Sequence, residues 1–264
     1  MVIGFISEYY TSSSYTPTKK LAESSQTGAA TNIINGLSLG MKSTFFPVVI
    51  VSLAVLGSYY FLGAYGIALA GVGMLSTLAI SLAIDCYGPV ADNAAGIAQM
   101  ANLGEEVRKK AEELDSVGNT TAAMGKGFAI GSAGLTALVL LVSYQQISQL
   151  NILNLAEPKV FVGILIGALL PFLFSALTME AVGKSASKVV EEVRRQFREI
   201  TGLKEGKGKA EYGKCVEIVT EGALKEMVLP SLIAIIAPIL VAFIFGKESL
   251  GGLLIGSIAS GFIL

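Results

Sequence analysis

Long uncharged stretches alternate with polar segments along this 264-residue chain. No Asp, Glu, Lys or Arg lies between Lys42 and Asp85, and none lies between Lys126 and Glu157. A helix of about 20 mostly apolar residues crosses the hydrocarbon core of a bilayer, so each stretch is long enough to span it. The pattern predicts an all-α, polytopic transmembrane helix bundle. Its predicted spans are 43–62, 66–86, 127–147, 160–180, 227–246 and 249–264.

The polar segments indicate which way the predicted spans are oriented. Alternating spans place segments 7–42, 103–126 and 183–226 on one side of the membrane. Of the 19 basic residues, all except Lys159 and Lys247 fall in these segments or at their membrane edges. Basic residues collect on the cytoplasmic side of membrane proteins. We therefore expect an integral, multi-pass membrane protein whose large polar segments are cytoplasmic.

Local patterns predict further helical detail. Residues 183–200 carry an amphipathic repeat that extends the fourth span out of the membrane, and a second helix is expected at about 211–227. The segment 86–116 is predicted as a helix that ends before Gly118. Residues 119–121 then cap the next helix. The final apolar window has only sixteen residues, and we expect a segment of a longer protein.

Glycines four residues apart occur in three predicted spans, as Gly127–Gly131, Gly163–Gly167 and Gly252–Gly256. Small residues at this spacing let two helices approach closely in lipid. With 30 glycines in the chain the spacing also arises by chance. It supports a tightly packed bundle and nothing more specific.

Composition excludes several chemistries. Apolar residues make up 53% of the chain and charged residues 15%, and there is no histidine. Ser-His-Asp triads and histidine-bound zinc are therefore excluded. Cys86 and Cys215 are too few for a disulfide framework. Carboxylate, amide, hydroxyl and lysine groups remain, a set that suits a hard cation and a phosphate. The net charge of −1 comes from mixed signs, and we expect no nucleic-acid partner.

The stretch that begins at Asp85 carries the first candidate site. Asp85 follows a long uncharged run, so we expect it at or below the membrane surface, where an aspartate is costly and is a functional candidate. Asp92 is seven residues further on, which places both carboxylates on one helix face, about 10 Å apart. The alternative is a pair of solvated aspartates at a helix end, because Pro89 could mark that end.

The stretch VGNTTAAMGKGFAIGSA carries the second candidate site. Asn119 and Lys126 are seven residues apart, so an amide and an ammonium group share one helix face. Together they offer a cation ligand and a point charge for phosphate. The alternative is a capped helix whose lysine reaches up to the membrane interface.

At these residues the sequence resembles the membrane-bound, ion-pumping inorganic pyrophosphatases. The strings DCYGPVADNAAGIAQMA and LDSVGNTTAAMGKGFAIGSA resemble two adjoining core helices of that family. The polar segments beginning EYYTSSSYTP and EEVRRQFREI resemble its cytoplasmic loops, and the resemblance extends over the whole chain. It implies a homodimer of sixteen-helix subunits in the lipid bilayer. Such a pump hydrolyses Mg-pyrophosphate on its cytoplasmic side and moves Na⁺ or H⁺ outward.

The resemblance also implies roles for individual residues. Asp92 and Asn119 resemble Mg²⁺ ligands and Lys126 resembles a pyrophosphate-binding lysine. Asp85 resembles a residue between the hydrolytic centre and the ion path.

Two further positions bear on potassium. Ala122 and Gly125 stand where potassium-independent members carry lysine and threonine, which implies dependence on K⁺. We favour Na⁺ as the transported and activating ion, because the potassium-dependent class includes sodium pumps.

Two other readings stay open. The first is a secondary cation transporter or channel in which Asp85 and Asp92 bind a cation without hydrolysis. The second is a structural membrane scaffold, which leaves Asp85 unexplained. The residues that hold the attacking water and form the ion gate in the family lie on other helices. We therefore expect this segment alone to be inactive and to need the remaining helices of the pump.

Overall fold

The computed structural model describes residues 2–150 and 152–264, and for Lys126 it describes the backbone only. Within these ranges the chain forms helices and no strand, which confirms the all-α prediction. The helices are α1 (Val2–Thr11), α2 (Thr16–Ser25), α3 (Ala29–Ser43), α4 (Phe45–Leu75), α5 (Leu78–Met100), α6 (Glu105–Ile147), α7 (Pro158–Glu199), α8 (Tyr212–Glu226), α9 (Val228–Phe245) and α10 (Lys247–Ile263).

The helices of the polar segments follow the sequence pattern in one region and depart from it in another. The predicted extension of the fourth span is confirmed, because α7 continues unbroken to Glu199 and α8 follows at Tyr212. The predicted helix 86–116 is wrong. The chain turns instead after Met100, with positive φ angles at Asn102 (51°) and Gly104 (94°).

Helix α4 is broken at Leu62 and Gly63, where the predicted span 43–62 ends and before the predicted span 66–86 begins. Gly63 has a φ of 60°, a conformation that glycine adopts without steric cost. After this break the chain folds back on itself. A methyl group on Gly66 would overlap the carbonyl oxygen of Ser58, eight residues earlier.

Four helical stretches of the described chain are long and apolar enough to cross a membrane. They are Ala29–Leu75, Glu105–Ile147, Pro158–Glu199 and Tyr212–Phe245. Large apolar side chains lie exposed along them, as at Phe61 (80%) and Phe243 (90%). An outer surface of this kind suits lipid or further apolar helices. The boundaries of the six spans within a bilayer stay a prediction.

The chain divides into two compact units, one up to Tyr144 and one from Gln145 to Phe262. In the first unit, helices α1, α4 and α5 all contact α6. Leu135 of α6 is 1% exposed and lies against Gly71 of α4. On α1, Gly4 faces Met124 and Phe128 of α6. This packing fixes the faces of α5 and α6 that carry the candidate residues.

In the second unit α7 and α10 pack backbone to backbone. A methyl group on Gly163 or Gly167 of α7 would overlap the carbonyl oxygen of Ser249 or Leu253 on α10. Gly252 of α10 meets the backbone of α7 in the same way. Ser249 is fully buried, and its hydroxyl donates to the carbonyl oxygen of Lys159 at 2.8 Å.

Candidate functional site

Asp85 and Asp92 lie on one unbroken helix. Helix α5 continues through Pro89 to Met100, so the proline does not end it. The seven-residue spacing therefore applies as predicted, and the two Cα atoms are about 10 Å apart along one face. The side chain of Asp85 is half-buried, whereas that of Asp92 is exposed.

Helices α5 and α6 cross at Gly88 and Gly118, and both glycines are buried. A methyl group on Gly118 would lie 2.7 Å from the Cα of Gly88, so the close approach requires glycine. A second contact joins Gly125 to Ser81, where a methyl group on Gly125 would lie 3.5 Å from the serine carbonyl oxygen. Because residues 88 and 81 of α5 meet residues 118 and 125 of α6, the two helices run antiparallel.

The crossing sets which α5 residues face α6. At 100° per residue, Asp85, Gly88 and Asp92 occupy an arc of about 60° on α5. Since Gly88 touches α6, both aspartates lie on the face turned toward that helix.

The same geometry applies to α6. Asp115, Gly118, Ala122 and Gly125 fall within an arc of about 80° that includes the contact with α5. Asn119 lies at the flank of this arc, beside the crossing. Asp92 and Asp115 are therefore on one side of the Gly88–Gly118 contact, next to the α5–α6 turn. Asp85 and Ala122 are on the other side.

The helix break that the sequence predicted at Gly118 is wrong. Helix α6 runs unbroken from Glu105 to Ile147, and Gly118 is its contact point with α5. The predicted caps bond within this helix. The Asn119 amide donates to Asp115 Oδ1 at 2.9 Å, and the Thr121 hydroxyl donates to the Val117 carbonyl oxygen at 2.7 Å.

Asp115 is a site residue that the sequence analysis missed. Its signal was present, because an aspartate four residues before an asparagine on one helix places the two side chains together. The carboxylate accepts from the amide nitrogen of Asn119, and this turns the amide oxygen away as a free acceptor. Asp115 is half-buried and faces α5 beside Asp92.

The oxygen groups at this crossing fit a hard divalent cation. Mg²⁺ prefers carboxylate and amide oxygens and keeps several water ligands, so an open site with few protein ligands is typical of it. Asp92 and Asn119 are exposed, and Asp115 is half-buried and bonded to Asn119 on α6. Within the described residues no three acidic, cysteine or histidine side chains are close enough to hold a metal by themselves.

The remaining predicted residues lie on the same helix. Ala122 and Gly125 are half-buried on the α6 face toward α5. Lys126 belongs to α6, but its side chain lies outside the described part of the structure. The structure therefore brings Asp85, Asp92, Asn119, Ala122 and Gly125 to one helix crossing, and the position of the lysine ammonium group stays a prediction.

A second polar cluster joins the end of α7 to the start of α8. Arg195 binds both carboxylate oxygens of Glu192 at 2.7 and 2.9 Å and also reaches Glu199 and Glu211. The buried amide of Gln196 donates to Glu192 Oε1 at 2.8 Å and accepts from the backbone nitrogen of Glu211. The hydrogen bonds from Arg195 and then Gln196 lower the pKa of Glu192 to about 2.

Sequence reasoning missed this cluster. The contacts within α7 are readable from EEVRRQ, but Glu211 lies 15 positions after Gln196 and joins them only when the chain returns. All the groups satisfy one another, so the cluster closes the loop between α7 and α8. The hydrogen bonds of Glu192 and Gln196 are thus made with other protein groups.

Comparison with known proteins identifies the family. A sequence model described as inorganic H⁺ pyrophosphatase matches residues 1–264. The chain belongs to that family. Its relatives are membrane pumps, and the long apolar helices place this chain among integral membrane proteins.

Three relatives illustrate the similarity. A putative K⁺-stimulated pyrophosphate-energized sodium pump of Clostridium tetani is 53% identical over 96% of this chain and 39% of the relative. A K⁺-insensitive pyrophosphate-energized proton pump of Methanosarcina mazei is 54% identical over 98% of this chain and 40% of the relative. A K⁺-stimulated pyrophosphate-energized sodium pump of Thermotoga maritima is 50% identical over 100% of this chain and 38% of the relative. The chain thus spans about 40% of the length of these curated relatives.

Proposed function

We propose that this chain is part of a pump in which hydrolysis of inorganic pyrophosphate drives ion transport across a membrane. The observation that carries the proposal is the α5–α6 crossing, where two glycines bring Asp92 and Asp115 to one side and Asp85 to the other. Membership in the pyrophosphatase family and relatives named as pyrophosphate-energized pumps support it.

The chain's own residues divide the work at this crossing. Asp92 and Asn119 supply oxygen ligands to Mg²⁺, and Asp115 holds the Asn119 amide in the orientation that leaves its oxygen free. Lys126 contributes a positive charge to the pyrophosphate. Bound Mg²⁺ would neutralise phosphate charge, which lowers the barrier to hydrolysis.

Asp85 lies about two helical turns from Asp92, beyond the glycine contact. Its half-buried carboxylate next to α6 suits a group that binds or releases a cation when the hydrolytic side changes charge. We therefore assign Asp85 to the coupling between hydrolysis and transport.

Ala122 and Gly125 leave the α6 face beside this site without a charge. A K⁺ ion fits the role of the missing positive group, and relatives of this chain include both K⁺-stimulated and K⁺-insensitive pumps. We propose K⁺ dependence, Na⁺ as the transported ion with H⁺ as the alternative, and a homodimer with its catalytic side in the cytoplasm.

The test uses the full-length protein that contains this segment, reconstituted into sealed vesicles. We expect pyrophosphate with Mg²⁺ to drive uptake of ²²Na⁺ or protons, and Asp85→Asn to reduce transport more than hydrolysis. A secondary transporter would instead move the cation without pyrophosphate and release no phosphate. That result would exclude the pump.

A further inference from the structure

In the first unit, a polar cleft lies among helices α1, α2 and α3. Its volume is about 330 Å³, and none of its lining residues belongs to α5 or α6. The cleft has a defined frame. The Thr18 hydroxyl of α2 donates to the Tyr10 carbonyl oxygen of α1 at 3.3 Å, and Ser24 of α2 donates to Asn32 of α3 at 3.3 Å. The chain reverses between α2 and α3 at Gly28, whose φ is 124°.

The lining of this cleft carries positive charge and hydrogen-bond donors but no carboxylate. Lys20 of α2 and Lys42 of α3 both line it, together with the amide of Asn35 and the hydroxyl of Ser38. Neither lysine makes an ion pair within the described residues. A Lys ammonium group carries three donors and an amide nitrogen two, so the cleft is suited to an anion with several acceptor oxygens.

The three polar residues of α3 lie on one face of that helix. Asn35, Ser38 and Lys42 follow a spacing of i, i+3 and i+7, which a helix places in one row. The opposing helix supplies Lys20, and Tyr9 of α1 closes the third side. The donors therefore come from separate helices and line one cleft, which is open to solvent because Lys20, Asn35 and Lys42 are exposed.

Under the predicted span boundaries, the cleft lies at the membrane surface. Lys42 is the last charged residue before the uncharged stretch that ends at Asp85, and α3 leads directly into α4. Under the predicted topology this surface is cytoplasmic. Basic pockets beside membrane helices on that side bind phosphate-bearing headgroups, since the charges there lie within reach of the lipid phosphates.

We propose that the α1–α2–α3 cleft binds a phosphate group at the cytoplasmic membrane surface, with Lys20 and Lys42 as its two cationic ligands. The phosphate is that of an anionic lipid headgroup or of a free phosphate ion. The site is separate from the α5–α6 crossing, and the binding measurement below does not depend on hydrolysis.

The experiment compares the full-length protein with a Lys20→Gln/Lys42→Gln variant. Binding of phosphatidylglycerol and phosphatidylcholine is measured by native mass spectrometry, and binding of radiolabelled inorganic phosphate by equilibrium dialysis. A Lys19→Gln/Lys188→Gln variant removes the same charge from exposed positions outside the cleft. Lys20→Arg/Lys42→Arg keeps the charge and controls for folding.

Each surface lysine contributes a factor of about five to anionic lipid binding. We therefore expect the Gln double variant to bind phosphatidylglycerol about 25-fold more weakly than the parent. Loss of phosphatidylglycerol binding alone identifies a lipid source, and loss of inorganic phosphate binding alone identifies a soluble one. Restored binding in the Arg variant supports the site. Equal loss in the Lys19/Lys188 control, or unchanged binding of both probes, overturns it.

Discussion

Two helix pairs of this molecule use glycine for close contact, and they differ in what surrounds the contact. Between α7 and α10, Gly163, Gly167 and Gly252 meet the partner backbone, and their neighbours Val160 and Leu253 are fully buried. Between α5 and α6 the Gly88–Gly118 pair makes the closest approach, and Gly125 meets Ser81 at an ordinary contact distance. There the flanking groups are carboxylates that stay partly or fully exposed.

The difference indicates two uses of one packing device. An extended row of glycines in apolar helix segments maximises van der Waals contact, which drives helix association in lipid. At the α5–α6 crossing the closest approach is confined to one glycine pair, and polar side chains lie on both sides of it. We therefore expect substitutions at the α5–α6 crossing to change chemistry, and substitutions at the α7–α10 contact to change stability.

The largest expected effect is loss of hydrolysis in the full-length protein with Asp92→Ala. Removing one carboxylate weakens Mg²⁺ binding and charge neutralisation of the phosphate, which costs about 100-fold or more in rate. Phosphate release at increasing Mg²⁺ measures the effect, with Asn119→Ala expected to act more weakly because an amide carries no net charge. Glu113→Ala, which removes an exposed carboxylate of α6, is the matched control. Near-normal turnover of Asp92→Ala at saturating Mg²⁺ would contradict the assignment.

The second prediction concerns K⁺ at Ala122. We expect hydrolysis to require K⁺ and Ala122→Lys to relieve that requirement, because the new ammonium group replaces the charge of the ion. A unit charge about 4 Å from a phosphate oxygen is worth about 4 kcal/mol at an effective dielectric constant near 20, or up to about a thousandfold in rate. The measurement is the hydrolysis rate against K⁺ concentration.

The companion change in this series is Gly125→Thr. A Cβ atom there would lie 3.5 Å from the Ser81 carbonyl oxygen, an ordinary contact distance, so the backbone accommodates it. If the hydrolysis rate of the parent protein did not depend on K⁺, the proposed role of K⁺ at Ala122 would be wrong. The assignments of Asp92 and Asn119 would be unaffected.

The third prediction tests the α7–α10 contact with two separate Gly→Ala changes on α7. Gly167→Ala introduces a methyl group that overlaps the Leu253 carbonyl oxygen, whereas a methyl group at Gly183 would have no described atom within 4 Å, apart from its own helix backbone and chain neighbours. Overpacking of this kind costs about 1–3 kcal/mol. Alanine at the open position is neutral or stabilising in a helix. We expect a lower unfolding temperature in detergent for Gly167→Ala only, and equal temperatures for the two variants would show that the α7–α10 contact is loose.

The sequence predicted the helical class and several helix ends because those features follow from apolar length and local spacing. The α7 extension is an example, since Val189, Val193 and Phe197 repeat every four residues. The role of Gly118 was not predictable in this way. Glycine is unfavourable in helix interiors, so the local pattern favoured a break, and only the contact with Gly88 shows why the residue is tolerated.

In the candidate site, too, the features set by local spacing are readable from the sequence, and those set by contacts between helices are not. Asp85 and Asp92 are readable as one face because their spacing is local. Their position opposite Asp115 depends on the register of two helices, which is fixed by contacts between residues 30 to 44 positions apart. Single-sequence patterns do not contain that register.

The smallest expected effect concerns Glu192, a carboxylate whose partners are all protein groups, in contrast to Asp92. The hydrogen bonds from Arg195 and Gln196 lower the pKa of Glu192 to about 2 from its ordinary value of 4.5. A carboxyl group with a lowered pKa stabilises the folded form above its unfolded pKa. That contribution is lost as the pH falls from about 4.5 to about 2. The loop between α7 and α8 should therefore become more sensitive to an acid-active protease across this range.

Limited proteolysis of the full-length protein measures the effect, scored as cleavage within residues 200–211 at a series of pH values. Glu192→Gln removes the titrating group while keeping its shape, so we expect a smaller pH slope for this variant. Glu191→Gln, at the exposed neighbouring position, should behave like the parent. Identical slopes in all three proteins would show that the Arg195 cluster does not hold the loop. In that case Glu192 would not differ from the carboxylates of the α5–α6 crossing by having a structural role in the loop.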